Sequence, residues 1–438
     1  MANITINLND SAQKVKPLHC TTGGPVQPHS YMGTFDYFKK IGFPYVRLHD
    51  CALHSYYGGH HVVDISGIFP DFDKDAYDEA SYDFTLTDKF LNNIRSCGSG
   101  IFYRLGQSIE HWVKKYGSNP PKDFQKWAII CEHIIKHYNQ GWCNGFFWNI
   151  KYWEVWCEPD NMPACWTGTM RQFYDLYEIT AKHIKSAIPD VLIGGPGFAE
   201  WSIANGTLEK FIKYMAENNV PLDFLSWHTY SRDIEEYTKR AVIVRELLDK
   251  YGYNDAQSIL DEFNYLINWQ EGMVPSIEKR QGIEGACLVS SLMATIQNMS
   301  VDMLFYYDTR PSAFNGIFNF YDCKPLKTYY VFLMFSWLYK LQTQINTSCD
   351  DENVYVLAAG SRNECGIMIT YYSLDDEAGE KELVINTGEE IDTEFDVILL
   401  DKNTNAEKTE TIHSKSGKVK ITVSNNAVVY LRKNTAFD

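Results

Sequence analysis

Short runs of apolar residues recur along the first three quarters of the chain, at 18–22, 45–49, 101–105, 152–156, 191–195, 224–228, 258–261 and 303–307. Each is brief, and several are apolar throughout, as expected of strands covered on both faces. Between them, apolar positions return with the spacing of one helix face over 30–41, 87–97, 123–138, 170–187, 208–218, 235–251 and 277–298, and again over 329–341. Strands alternating with helices imply a parallel sheet, because parallel neighbours need crossovers, and eight such units are the number that closes a barrel. An open doubly wound sheet is the rival, but no Gly-x-Gly-x-x-Gly turn follows any of these strands.

After about residue 341 the pattern changes to "NVYVLAAG", "CGIMITYYS", "KELVIN", "FDVILLD", "KVKITVS" and "AVVYLRK", separated by Asn, Asp, Gly and Ser turns. Short strands in succession predict a β-sandwich accessory domain over 342–438. The opening "NITINL" is a strand with no helix after it, so 1–14 is expected to join that sandwich, leaving 15–341 as the catalytic barrel. The fold class expected is therefore α/β, a (β/α)8 TIM barrel with a C-terminal β-sandwich domain.

Composition narrows the function. The chain has 438 residues, 45% hydrophobic and 15% aromatic, which argues against global disorder. Its 56 acidic against 40 basic side chains give a formal net charge of -16, a field that repels phosphate backbones, so no nucleic-acid partner is expected. Apolar runs such as 331–338 fall short of the roughly 20 residues that cross a bilayer, and no membrane partner is expected. The first residues lack the uncharged apolar core of a secretory signal. The 11 cysteines, among them Cys97, Cys131 and Cys287, show no paired metal spacing, as suits free thiols in a reducing cytoplasm. Nothing in the sequence argues against a homo-oligomer.

Active sites of such barrels gather at the C-terminal ends of the strands. Those ends carry Arg47 and His49, then Glu158 in "YWEVWCEPDN", His228 and Tyr230, Glu262 in "SILDEFNY", and finally Tyr307, Asp308 and Arg310. Pro159 disfavours helix for the residue before it, which predicts an extended, strand-ending Glu158. A single strand-end glutamate is more often a surface charge or an ion-pair partner. Two of them, separated by three further strand–helix units, face one another across the mouth. Paired carboxylates are what glycosidic cleavage needs: one protonates the leaving oxygen, and the other attacks the anomeric carbon or activates water. Strand alternation puts Glu154 on the same face as Glu158, so Arg47 has Glu154 as one candidate partner and Glu262 as the other; one guanidinium fork could serve both.

These stretches, with "YVRLHD", "YDFTLTDKFL" and "DFLSWHTYS", resemble glycoside hydrolase family 39 of the large retaining barrel clan, which includes β-xylosidases and α-L-iduronidases. The resemblance implies Glu158 as general acid/base and Glu262 as nucleophile, with Arg47 holding Glu262 anionic and Tyr230 donating a hydrogen bond to it. The chain departs from the family at Cys157, where relatives carry an asparagine whose amide bonds the sugar 2-hydroxyl. Either another donor, His49 or His228, is expected to replace it, or that hydroxyl is absent or substituted and the small thiol makes room.

The stretch "HDCALHSYYGGHHVVD" matches no zinc spacing, so no metal is expected; it is anticipated as a glycine-hinged loop that lends His49 and Asp64 to sugar hydroxyls. Among the large aromatics Trp112, Trp156, Trp166, Trp201, Trp227, Trp269 and Tyr307, two or three are expected to stack on sugar, with Trp166 and Trp269 favoured by their loop positions. The reading that emerges is a retaining exo-glycosidase, needing no cofactor, that acts on a short oligosaccharide or glycoside. The long insertion at 51–82 walls the mouth into a pocket. The alternatives are a catalytically silent carbohydrate-binding barrel and, more remotely, a metal-dependent hydrolase built on the histidine loop. Sugar identity, anomeric configuration and linkage are not legible in these residues.

Overall fold

The structure, a computed structural model, describes every residue except 26–32, 52–60, 313, 362, 376, 389–392 and 434–438, together with all side chains but those of 9–12. His54 and His60 of the histidine-rich stretch therefore lie outside the described residues.

Strand β1 (Ala2–Lys14) precedes eight short strands: β2 (Cys20–Thr22), β3 (Tyr45–Arg47), β4 (Gly100–Leu105), β5 (Tyr152–Val155), β6 (Leu192–Phe198), β7 (Phe224–Tyr230), β8 (Gln257–Asn264) and β9 (Met303–Tyr306). These eight pair in parallel, in chain order, and β9 closes on β2 to complete the barrel. Helices fill the crossovers, and side-chain caps fix where several of them start. Asp123 accepts from Lys126 N–H, Asp233 from Glu235 N–H, and Thr169 forms a reciprocal capping box with Gln172. The helix expected at 277–298 is two helices, Met273–Gln281 and Ile283–Ile296, divided by Gly282 at φ -91°, ψ -168°. The apolar period runs through the break, so periodicity alone cannot show it. Among the described residues no helix is long and apolar enough to cross a membrane.

The barrel interior is layered. Its floor is the apolar cluster of Cys20, Phe102, Tyr152, Phe224, Ile259, Met303 and Phe305, with Tyr45 and Leu192 against it. Two residues further along five of these strands, side chains on the same inward face are polar: Arg47 above Tyr45, Arg104 above Phe102, Glu154 above Tyr152, Ser226 above Phe224 and Asp261 above Ile259. Dry aromatic packing thus underlies a ring of buried charge.

The last eight strands, β10 (Thr343–Cys349), β11 (Val354–Gly360), β12 (Cys365–Tyr371), β13 (Lys381–Asn386), β14 (Glu394–Leu400), β15 (Asn405–His413), β16 (Lys418–Val423) and β17 (Ala427–Lys433), form one continuous sheet with β1. Its order is β15-β14-β17-β12-β11-β10-β1-β13-β16, with β1 antiparallel to β10 and parallel to β13. Two separate sheets were the simplest sandwich; here every strand is hydrogen-bonded into one. Ile4 and Ile6 of β1, Phe395 of β14 and Val419 of β16 nevertheless share one buried cluster. Among the described residues no helix of this part of the chain covers that face, so side chains so fully buried require the sheet to curl over itself, which encloses a sandwich-like core.

Candidate active site

Arg47, at the end of β3, organises the polar layer. Its Nε lies 2.7 Å from Glu154 Oε2 and 2.8 Å from Asp261 Oδ2, its Nη1 donates to Glu262 Oε1 at 2.7 Å, and its Nη2 meets Cys157 Sγ at 3.3 Å. One fork does serve both glutamates. Asp261 and Glu262 are consecutive, yet both touch this guanidinium. Strict alternation would send one of them outward, and a register shift where Trp227 pairs with Leu260 but His228 with Glu262 turns both inward. Tyr230 at the end of β7 donates to Glu262 Oε2 at 2.7 Å.

Glu158 stands beyond β5, which ends at Val155, and it is not extended. Its φ is +47°, in the left-handed region, where a residue other than glycine carries a cost of order 1–3 kcal/mol. Pro159 excludes the right-handed helix as expected. The Glu158 N–H then finds the carbonyls of Pro196 (3.0 Å) and Gly197 (3.1 Å) on β6, and these bonds hold the turn. The carboxylate so aimed accepts from Asn161 Nδ2 at 2.8 Å and lies 2.8 Å from His228 Nδ1. The same Nδ1 is 3.4 Å from Glu262 Oε2, and a Glu158 oxygen and a Glu262 oxygen fall within 4.8 Å of each other.

The electrostatics follow from burial and neighbours. Burial pushes the His228 pKa down, but Glu262 and Asp261 outweigh it and hold the group well above the ordinary histidine range, as an imidazolium. Burial also raises Glu262, opposed by the charges of His228 and Arg47, for a net upward shift. Glu154, desolvated and beside Asp261, is pushed up to about 8, whereas Arg47 and His228 overcome burial at Asp261 and lower it. The buried pair therefore shares one proton. Burial drives His49 well below the usual range, with Arg104, Arg47 and His228 adding to it against Asp50, so its ring is neutral. Burial likewise keeps Cys157 a thiol.

The remaining expected residues divide. His49 is 4% exposed, with Nε2 3.9 Å from Cys157 Sγ and Nδ1 without a partner among the described residues. Tyr307 donates to Asp50 Oδ2 at 2.7 Å, and Trp269 packs edge-on against Tyr230 while donating to Glu200 at 2.8 Å. Asp308 and Arg310 form a buried ion pair with each other, and Arg310 also donates to the Asp50 carbonyl, so both are occupied behind the site. Trp166 is fully buried between Trp156 and Phe173, which gives it a packing role in place of the expected sugar contact. Asp64 is held by Arg104 and by the Ser108 N–H and hydroxyl, tying down the long insertion. Trp156 and Trp227 are core residues, Trp112 and Trp201 exposed ones.

Sequence reasoning missed Asp261, Asn161 and Cys165, whose Sγ lies 3.9 Å from Glu158 Oε2. For Asp261 only the pair of adjacent acids in "LDEF" hinted at a bulge. Two sets of metal-ligating groups lie within 4.8 Å: His49, Cys157 and Glu262, and Glu158, His228 and Glu262.

Compared with known proteins, the chain matches the model described as Glycosyl hydrolases family 39 over residues 3–376. A β-xylosidase of Geobacillus stearothermophilus is 29% identical over 210 residues, a match covering 44% of this chain and only 37% of that protein. Two solved structures align over nearly their whole lengths. A glucosidase from Croceicoccus marinus has a TM-score of 0.79 at 21% identity, covering 100% of this chain and 99% of that one. A monomeric β-xylosidase from Caulobacter crescentus has a TM-score of 0.73 at 15% identity, covering 99% and 100%. At these identities the two structures speak for the fold alone.

Proposed function

The chain belongs to glycosyl hydrolase family 39, and we propose that it is a retaining exo-glycosidase of the cytoplasm, β-xylosidase-like, that releases a pentose or related sugar from a short oligosaccharide or glycoside. The observation that carries this reading is the pair of glutamates brought to one histidine nitrogen, with oxygens within 4.8 Å. Retaining pairs stand about 5–5.5 Å apart, leaving no room for a nucleophilic water between them, whereas inverting pairs need roughly 6.5–9.5 Å.

In the first step Glu262 attacks the anomeric carbon while Glu158 gives its proton to the leaving oxygen, forming a glycosyl ester on Glu262 Oε1 or Oε2. In the second step Glu158 takes a proton from water, and the water oxygen displaces the ester. Arg47 and Tyr230 hold the Glu262 carboxylate in place and anionic before attack. His228, cationic between the two glutamates, compensates their charge as it moves from one to the other. The neutral, half-satisfied His49 is placed to bond the hydroxyl next to the anomeric carbon, the contact that Cys157 cannot make as an amide would.

A panel of aryl glycosides of xylose, arabinose, glucose, galactose and uronic acids tests the proposal. The wild-type protein should release the aryl group from at least one, and Glu262→Gln from none. Folded wild-type protein that binds oligosaccharide but cleaves no glycoside would favour the silent carbohydrate-binding barrel.

A further inference from the structure

Hydrolysis by two carboxylates has no use for a thiol placed against the nucleophile, yet Cys157 Sγ lies 3.9 Å from both His49 Nε2 and Glu262 Oε1. All three residues are buried, and their ligand atoms fall within 4.8 Å of one another. A tetrahedral zinc ion, with bonds of about 2.3 Å to sulfur and about 2.0 Å to nitrogen and oxygen, sets sulfur about 3.5–3.6 Å from each of the other two ligand atoms. The two edges at sulfur close on such an ion with movements of a few tenths of an ångström, and the His49 nitrogen and Glu262 oxygen, now within 4.8 Å, must come to about 3.3 Å.

His49 supplies a second, independent sign. It is 4% exposed, and among the described residues its Nδ1 has no partner and its Nε2 meets only Asp50 Oδ1 at 3.7 Å and the sulfur at 3.9 Å, beyond ordinary hydrogen-bond lengths. Its Nε2 faces the thiol, so this buried imidazole offers a ring nitrogen to the cluster. The other set, Glu158, His228 and Glu262, lacks the sulfur that a soft cation favours.

We propose that His49, Cys157 and Glu262 form an inhibitory site for a soft divalent cation of the zinc or cadmium class, with solvent as the fourth ligand. Binding replaces the thiol proton with the metal, and that proton leaves to water. Arg47, 3.3 Å from Sγ, repels the cation, and the thiolate, Glu262 and Asp261 offset part of that repulsion. The occupied site withdraws Glu262 from attack and fills the place of the sugar, so inhibition is competitive. The consequence for turnover rests on reading Glu262 as the nucleophile; the binding itself does not.

Cadmium added to the resting full-length protein should produce a thiolate-to-metal ultraviolet charge-transfer band that saturates at one ion and is absent in Cys157→Ser. His49→Gln, a second variant, should keep the band but weaken binding at least tenfold. Zinc should inhibit aryl-glycoside cleavage competitively, with an inhibition constant at least tenfold higher in either variant. A band of equal strength in Cys157→Ser, unchanged affinity in His49→Gln, or inhibition not relieved by substrate would overturn the site. If the protein cleaves no glycoside, the cadmium band still decides whether the site exists.

Discussion

Replacing Tyr230 with phenylalanine removes one oxygen from the site and little else. The ring keeps its edge-on packing against Trp269 at 5.1 Å and against Tyr307 at 6.4 Å. What disappears is the 2.7 Å bond from the phenol to Glu262 Oε2, which leaves that oxygen only His228 Nδ1 at 3.4 Å. A hydrogen bond to a buried charged group contributes about 1.5–3 kcal/mol, so kcat/KM near neutral pH should fall roughly 10- to 150-fold. The loss should be pH-dependent, and its sign follows from the protonation state required. Glu262 must be ionised to attack; burial already raises its pKa, and the phenol favours the anion. Without the phenol the pKa rises further, so the acid limb of the kcat/KM profile should move up by about one to two pH units, at 1.36 kcal/mol per unit. The assay is kcat/KM against pH for both proteins on the best aryl glycoside. A variant within twofold of wild type, with its acid limb unmoved, would refute the idea that this bond holds the nucleophile.

Glu158→Gln should slow cleavage of unactivated glycosides by roughly 10²–10⁴-fold but spare glycosylation by dinitrophenyl glycosides, whose leaving group needs no proton; equal losses on both would remove Glu158 from the acid role. Trp166→Ala should cost about 3–5 kcal/mol in stability by emptying a core position, read as a fall in Tm, whereas an unchanged Tm with a raised KM would return Trp166 to the sugar. Cys157→Asn should not raise kcat/KM on the native substrate, because its amide would compete with His49; a tenfold gain on xylosides, arabinosides and native substrate alike would mark the cysteine as a defect in an ordinary site.

The barrel was legible because its strands are short apolar runs with helical periods between them, and the glutamates were legible because both stand at strand ends. Local geometry was harder to read. The left-handed turn at Glu158 depends on carbonyls of Pro196 and Gly197, some forty residues away, and the inward turn of both Asp261 and Glu262 depends on a bulge against β7. Loop position suggested a ligand-facing Trp166, but the next helix, capped at Thr169, folds that indole under Trp156. Asp308 and Arg310 read as ligand-facing because they end a strand, and only the fold pairs them with each other. Charge states were beyond the sequence altogether: the proton shared by Glu154 and Asp261 and the imidazolium of His228 arise where β3, β5, β7 and β8 bring their buried charges together.

The most direct test is the anomeric configuration of the first product. Proton NMR, begun within seconds of adding wild-type protein to its best aryl glycoside, should show the released sugar with the configuration of the substrate before mutarotation sets in. Initial product of the opposite configuration would contradict a covalent intermediate on Glu262, and with it the roles assigned to both glutamates.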